Sequence, residues 1–222
     1  VILLDLSPSM LAQDIKPSRL VRARFKLIDI LSARREGYTA LIVYSGSAHV
    51  VSPLTEDTNT IISMVNSLEP SIMPEYGSNV EEAVYSALTI VKRGGFERAD
   101  LLLITDEVAS SAIPTITDSL RKEGYFRLSV LGIGTPAGAP IPLPYGGFLK
   151  DNRGGILIPK INSQDLKKLA ENNQGVYQTL SHDERDINAL VTLSDMPVAN
   201  KTRELEPTFD TWNDRGYLLI IF

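Results

Sequence analysis

Apolar runs of strand length recur along the chain at Val1 to Leu4, Ala40 to Tyr44, Leu101 to Ile104 and Leu128 to Ile133, each bounded by polar or glycine residues. Their apolarity is continuous rather than alternating, which predicts strands covered on both faces. Between them the spacing changes to that of helices. The clearest case is Ser18 to Arg35, where Leu20, Ala23, Leu27, Ile30 and Leu31 form one stripe behind Pro17 and a candidate cap at Ser18. Asp57 to Leu68, Ser78 to Lys92, Ile113 to Lys122 and Ser163 to Glu171 read similarly, and Asp183 to Leu193 more weakly. Strands alternating with helices require crossover connections. The expected fold is therefore α/β, a doubly wound and mainly parallel sheet with helices on both faces.

Two segments depart from that alternation. His49 to Pro53 follows the second strand after only Ser45-Gly-Ser-Ala48, a return tight enough for an antiparallel edge strand, where Pro53 is tolerated. Residues 138–161, rich in proline and glycine, read as a protruding hairpin excursion. The domain is expected to span 1–193, with residues 194–216 as a polar linker. The last six residues, Tyr217 to Phe222, are apolar but far short of the roughly 20 that cross a membrane as a helix. They suit either a core strand or the start of a membrane helix, with Trp212 and Tyr217 placed for an interfacial belt.

Composition narrows the chemistry. The 222 residues are 43% hydrophobic and 22% charged, an ordinary globular balance that leaves no support for disorder or fibrous structure. A net charge of −5 argues against binding a nucleic-acid backbone. Absence of cysteine excludes disulfides, thiolate metal sites and cysteine nucleophiles. The only histidines are His49, expected on the surface of the edge strand, and His182, expected at a helix start. Whatever chemistry the chain performs must use oxygen atoms.

Ligands of open parallel sheets sit beyond the carboxyl ends of the strands. Asp5, Ser7 and Ser9 follow the first apolar run, Asp106 and Glu107 follow the run at Leu101 to Thr105, and Ser78 precedes a helix. Two carboxylates and three hydroxyls suit a hard divalent cation, magnesium in the first place, with manganese or calcium as substitutes. The hydroxyls are expected to bind directly and the carboxylates partly through water. One position is left open to a carboxylate from outside. Each piece also has an ordinary reading. Asp5 and Ser7 can cap a turn, Ser78-Asn-Val-Glu81 forms a capping box, and Asp106 can be a turn residue.

This pattern resembles the von Willebrand factor A (vWA) domain with its metal-ion-dependent adhesion site (MIDAS), whose fold is Rossmann-like. Asp5, Ser7 and Ser9 match its Asp-x-Ser-x-Ser motif, Ser78 stands where threonine is usual, and Asp106 matches its last aspartate. Glu107 departs from the glycine that often follows. A narrower resemblance is to the Bat aerotolerance membrane proteins of bacteria, carried by Met10 to Leu20, Pro53-Leu-Thr55 and Gly132 to Ile141. It implies a non-catalytic, metal-dependent protein-binding module anchored in the bacterial inner membrane and facing the periplasm. Its partner would be a protein offering an Asp or Glu, among the other membrane proteins of the same system. The apolar end of the chain would then begin a trailing membrane helix.

Rival readings find less support. A metal-assisted phosphohydrolase with Glu107 as base uses the same ion, and a structural vWA module with an empty site needs none. A phosphoaspartyl enzyme of the haloacid-dehalogenase kind would want aspartate where Ser7 stands. No Gly-x-Ser-x-Gly elbow or Walker pattern occurs, and Gly132-Ile-Gly-Thr-Pro-Ala-Gly138 fails the dinucleotide fingerprint.

Overall fold

A computed structural model of the chain describes residues 1–190 apart from 35, 152, 182–184 and 188. Six strands, β1 (Ile2–Asp5), β2 (Thr39–Tyr44), β3 (Ala48–Thr55), β4 (Arg98–Thr105), β5 (Tyr125–Gly132) and β6 (Gln174–Thr179), form one sheet in the order β3-β2-β1-β4-β5-β6. Every neighbouring pair is parallel except β2 and β3. The antiparallel edge strand and the doubly wound α/β architecture thus agree with the sequence. His49 is exposed on β3, with its ring 3.0 Å from the Ser47 hydroxyl. His182 and the region 191–222, including the expected linker and apolar end, lie outside the described residues, as does part of the expected helix at 183–193.

The helices are α1 (Arg19–Ala33), α2 (Thr58–Val65), α3 (Val80–Arg93), α4 (Ala112–Glu123) and α5 (Ser163–Asn172). All five residues of the expected α1 stripe are buried, and the Ser18 hydroxyl accepts from the Val21 amide at 3.3 Å as the helix cap. Strand side chains alternate between two cores. Ile2 and Leu4 face the layer formed with α1 and α2, whereas Leu3 faces the layer built with α3, α4 and α5. Both faces of β1 and β2 are covered, which is why these strands read as unbroken apolar runs.

Sequence pattern misses β6 because its Gln-Gly-Val-Tyr-Gln-Thr is short, half-buried and polar at both ends. The start of α3 also shifts. Asn79, not Ser78, is the cap: its side-chain oxygen accepts from the Glu82 amide at 3.1 Å and its amide group donates to the Glu82 carboxylate at 3.2 Å. The cap lies one residue later than expected, and the reciprocal bond of a capping box is replaced: the Asn79 backbone amide donates to the Ser45 carbonyl at 2.7 Å instead of to the Glu82 carboxylate. That releases the Ser78 side chain from a capping role.

Residues 138–161 make two successive turns closed by the isolated bridges Pro142 to Phe148 and Lys150 to Ile156. Tyr145, Phe148, Ile156 and Ile158 are exposed there. The segment is rooted at the sheet: Ile161 donates to the Thr135 carbonyl at 3.3 Å and Asn162 to the Asp106 carbonyl at 3.4 Å. Its base therefore lies beside the carboxyl ends of β4 and β5.

Candidate metal site at the carboxyl ends of the strands

The chain leaves β1 for β2 on one side and later returns on the other side through β4, so β1 and β4 are neighbours across a topological switch point. Their carboxyl ends carry Asp5 and Asp106. Asp5 is fully buried at the end of β1. One of its oxygens accepts from the Ser7 amide at 2.7 Å, and the other from the hydroxyls of Thr105 at 2.6 Å and Tyr44 at 3.2 Å. Ser7 and Ser9 sit on the following 3-10 turn, which Pro8 opens, and their hydroxyl oxygens are 2.8 Å apart. The Asp-x-Ser-x-Ser run thus folds back on itself over the end of β1.

Asp106 is equally enclosed, with 1% of its surface exposed. Its Oδ2 accepts from an Arg19 guanidinium nitrogen at 2.5 Å. Its Oδ1 is buried without a hydrogen-bond partner among the described residues. The Ser9 hydroxyl favours the charged form of Asp106 and also shares a hydrogen bond with Ser7 in which either oxygen can be the donor. A buried carboxylate oxygen left unpaired is costly unless something completes it.

Burial pushes the Asp5 carboxyl up to about 7, and the nearby charge of Asp106 pushes in the same direction, against the hydroxyl of Thr105 and the contacts of Ser7. Asp106 is also raised by burial, opposed by Ser9 and Arg19. Two enclosed carboxylates that hold their charge reluctantly form a pair that a divalent cation would relieve.

Ser78 reaches the same rim by a different route. The Ser45 hydroxyl donates to the Gly77 carbonyl at 3.1 Å, and the Gly77 amide lies 3.2 Å from that hydroxyl oxygen. The two loops can touch because both lack side chains there: a Cβ on Gly77 would stand 2.9 Å from the Gly46 Cα. Ser45 directly follows Tyr44, the register partner of Asp5. Ser78 is thereby held at the carboxyl end of β2 with its side chain exposed, whereas Asp5, Ser7 and Asp106 are buried and Ser9 is half-buried.

Three features of the site escape the sequence reading. Thr105 and Tyr44 hold Asp5, and Arg19 holds Asp106. For Arg19 a signal exists: an arginine at the first position of a helix opposes the macrodipole, so another interaction must keep it there.

Residues 1–109 match the family model for the von Willebrand factor type A domain. Over this stretch the chain is similar in sequence to vWA domains. It is 28% identical to an aerotolerance-related membrane protein from Bacteroides fragilis NCTC 9343, solved with multiple mutations to serines, over 86% of this chain and 95% of that one, with a TM-score of 0.79. BatB from Bacteroides thetaiotaomicron is likewise 28% identical, over 86% and 94% of the two chains, with a TM-score of 0.75. At the level of fold alone, proximal thread matrix protein 1 from the mussel byssus, solved with a zinc-occupied MIDAS motif, is 18% identical over 90% of this chain and 47% of that one, with a TM-score of 0.58. No curated protein matches the chain significantly. The resemblance to the Bat proteins expected from Met10 to Leu20 is thus borne out.

The residues at this rim fit a hard divalent ion. The test is the Asp106 Oδ1, which has no partner among the described residues, on a carboxylate that interacts with the Ser9 hydroxyl and with the buried carboxylate of Asp5. Among the described residues no group of three or more His, Cys, Asp or Glu side chains forms a metal cage, so an ion here would depend on hydroxyls and water as well.

Proposed function

We propose that this domain is a non-catalytic protein-binding module that works through a divalent cation, magnesium or manganese, held by Asp5, Ser7, Ser9, Ser78 and Asp106. The observation that carries this reading is the buried Oδ1 of Asp106, which has no hydrogen-bond partner among the described residues, on a carboxylate whose charged form the Ser9 hydroxyl favours. When bound, the ion supplies a Lewis-acid position for a carboxylate from a partner protein. The chain's own residues hold the donors in place: Thr105 and Tyr44 fix Asp5, and the 3-10 turn fixes the two serines. The exposed aromatic and aliphatic side chains of the excursion, rooted beside Asp106, suit a protein partner.

The Bacteroides fragilis relative is described as a membrane protein. By extension we place this domain at the bacterial inner membrane, facing the periplasm, with an Asp or Glu of another membrane protein as its ligand. No helix among the described residues is long and apolar enough to cross a membrane. Titration calorimetry with magnesium and manganese tests the reading. Binding by the wild type that disappears in Asp5→Ala and Asp106→Ala supports it, and unchanged binding in both variants refutes it. A phosphate-ester assay run alongside separates it from metal-assisted hydrolysis: turnover lost in Asp106→Ala would favour the enzyme.

A further inference from the structure

Arg19 has no exposed surface, and four contacts hold its guanidinium. It donates to both oxygens of Asp14 at 2.8 Å each, to Asp106 Oδ2 at 2.5 Å, and to the Pro159 carbonyl of the excursion at 2.7 Å. Asp14 in turn accepts from the Thr135 amide at 2.8 Å and hydroxyl at 2.9 Å. The loop after β5 is shaped around this group. Gly134 has φ +149°, and a Cβ there would lie 3.1 Å from the Arg19 Cζ. A permanent positive charge is thus built against one oxygen of Asp106 while the other oxygen stays open.

We propose that Arg19 is the resident cation of the site and opposes binding of the divalent ion, with Asp14 setting the strength of that opposition. The inference rests on the reading that the site takes such an ion. With an ion bound, Asp5, Asp106 and Asp14 contribute three negative charges and Arg19 removes one. An ion accepting Oδ1 must share its carboxylate with a guanidinium of like sign, and like charges at this range repel in proportion to inverse distance. The ion is consequently held loosely until an incoming carboxylate adds negative charge, so metal and partner strengthen each other's binding.

Opposite signs test this. In calorimetry with magnesium or manganese, Arg19→Gln should bind the ion about tenfold more tightly and Asp14→Asn about threefold more weakly than wild type, since one removes a positive and the other a negative charge. A purely structural ion pair would shift both variants in the same direction. Lys26→Met breaks another buried pair on α1, with Asp186, and should lower the melting temperature while leaving the ion's Kd within about twofold. Equal or weaker binding by Arg19→Gln overturns the inference. Should that variant not fold, Asp14→Asn decides alone, and unchanged or tighter binding overturns the inference. An ion that binds wild type but ignores both substitutions defeats this inference alone. An ion bound by neither wild type nor Arg19→Gln defeats the metal reading as well.

Discussion

Helix α1 carries two buried cations, and their partners are completed differently. Lys26 lies midway along the helix and donates to Asp186 Oδ1 at 2.8 Å. The Asp186 oxygens also accept the amides of Ile187 and Ser181, both at 2.9 Å. Every oxygen of that carboxylate is used, and its pKa is lowered: burial works against this, but the Lys26 contact and the backbone amides prevail. Arg19, at the start of the same helix, leaves Asp106 half satisfied and its pKa raised by burial. A saturated buried pair serves the fold. A pair that leaves one oxygen open costs stability and reserves a place for something else.

The largest expected break of this contrast is at the saturated end. Asp186→Ala removes the buried carboxylate that Lys26 and two backbone amides contact and should cost about 3 to 5 kcal/mol in denaturant unfolding, with metal binding unmoved. At the open end Asp5→Asn should behave the other way. Removing a buried carboxylate that resists its charge should change stability in chelator at pH 8 by no more than about 1 kcal/mol, since the Thr105 and Tyr44 hydroxyls can turn to meet the amide. Metal heats should vanish in the same variant.

Acidity sharpens the comparison further. Asp5 is raised to about 7 from an unfolded value near 3.8. The folded state therefore holds the proton more tightly. Its stabilising contribution is complete below about pH 4 and is lost as pH rises towards about 7. In chelator the melting temperature should fall across that window. A saturating divalent ion should flatten or reverse the slope, because it replaces the proton. Asp186, with its lowered pKa, contributes in the opposite sense: its stabilisation is present above the unfolded carboxylate range and disappears as pH falls below it. An Asp5→Asn variant whose chelator profile still falls between pH 4 and 7 would remove Asp5 as the cause.

The smallest effects concern the start of α3. Asn79→Ala should cost about 1 kcal/mol of stability as a lost cap, whereas Ser78→Ala should cost about 0.5 kcal/mol at most. Ser78→Ala should nevertheless weaken the ion's Kd in calorimetry. If the stability losses were exchanged between the two positions, the cap assignment would be reversed.

Much of this was readable in advance. The stripe of Leu20, Ala23, Leu27, Ile30 and Leu31 obeys helical period, and the unbroken apolarity of β1 and β2 announces strands covered twice. Asp5, Ser7, Ser9 and Asp106 could be named because Asp-x-Ser-x-Ser and the aspartate after a buried strand are local patterns at predictable strand ends. The cap was not decidable from the pattern. Ser78 and Asn79 each have a glutamate three residues on, and only the hydrogen bond from Asn79 to Ser45 chooses between them. The strand β6 was also hidden, since a half-buried edge strand needs few apolar residues.

By itself, the sequence determined the order of the elements, the faces they bury and the oxygen chemistry available, because side-chain periodicity and residue type are properties of neighbouring positions. The tertiary structure alone decided how charge is balanced at the rim. Arg19 and Asp106 are 87 residues apart, and no local pattern records that crossing from β1 to β4 brings the first residue of α1 against the end of β4. Coulomb energy depends on distance in space, so the state of the site follows from where the chain returns rather than from what it contains.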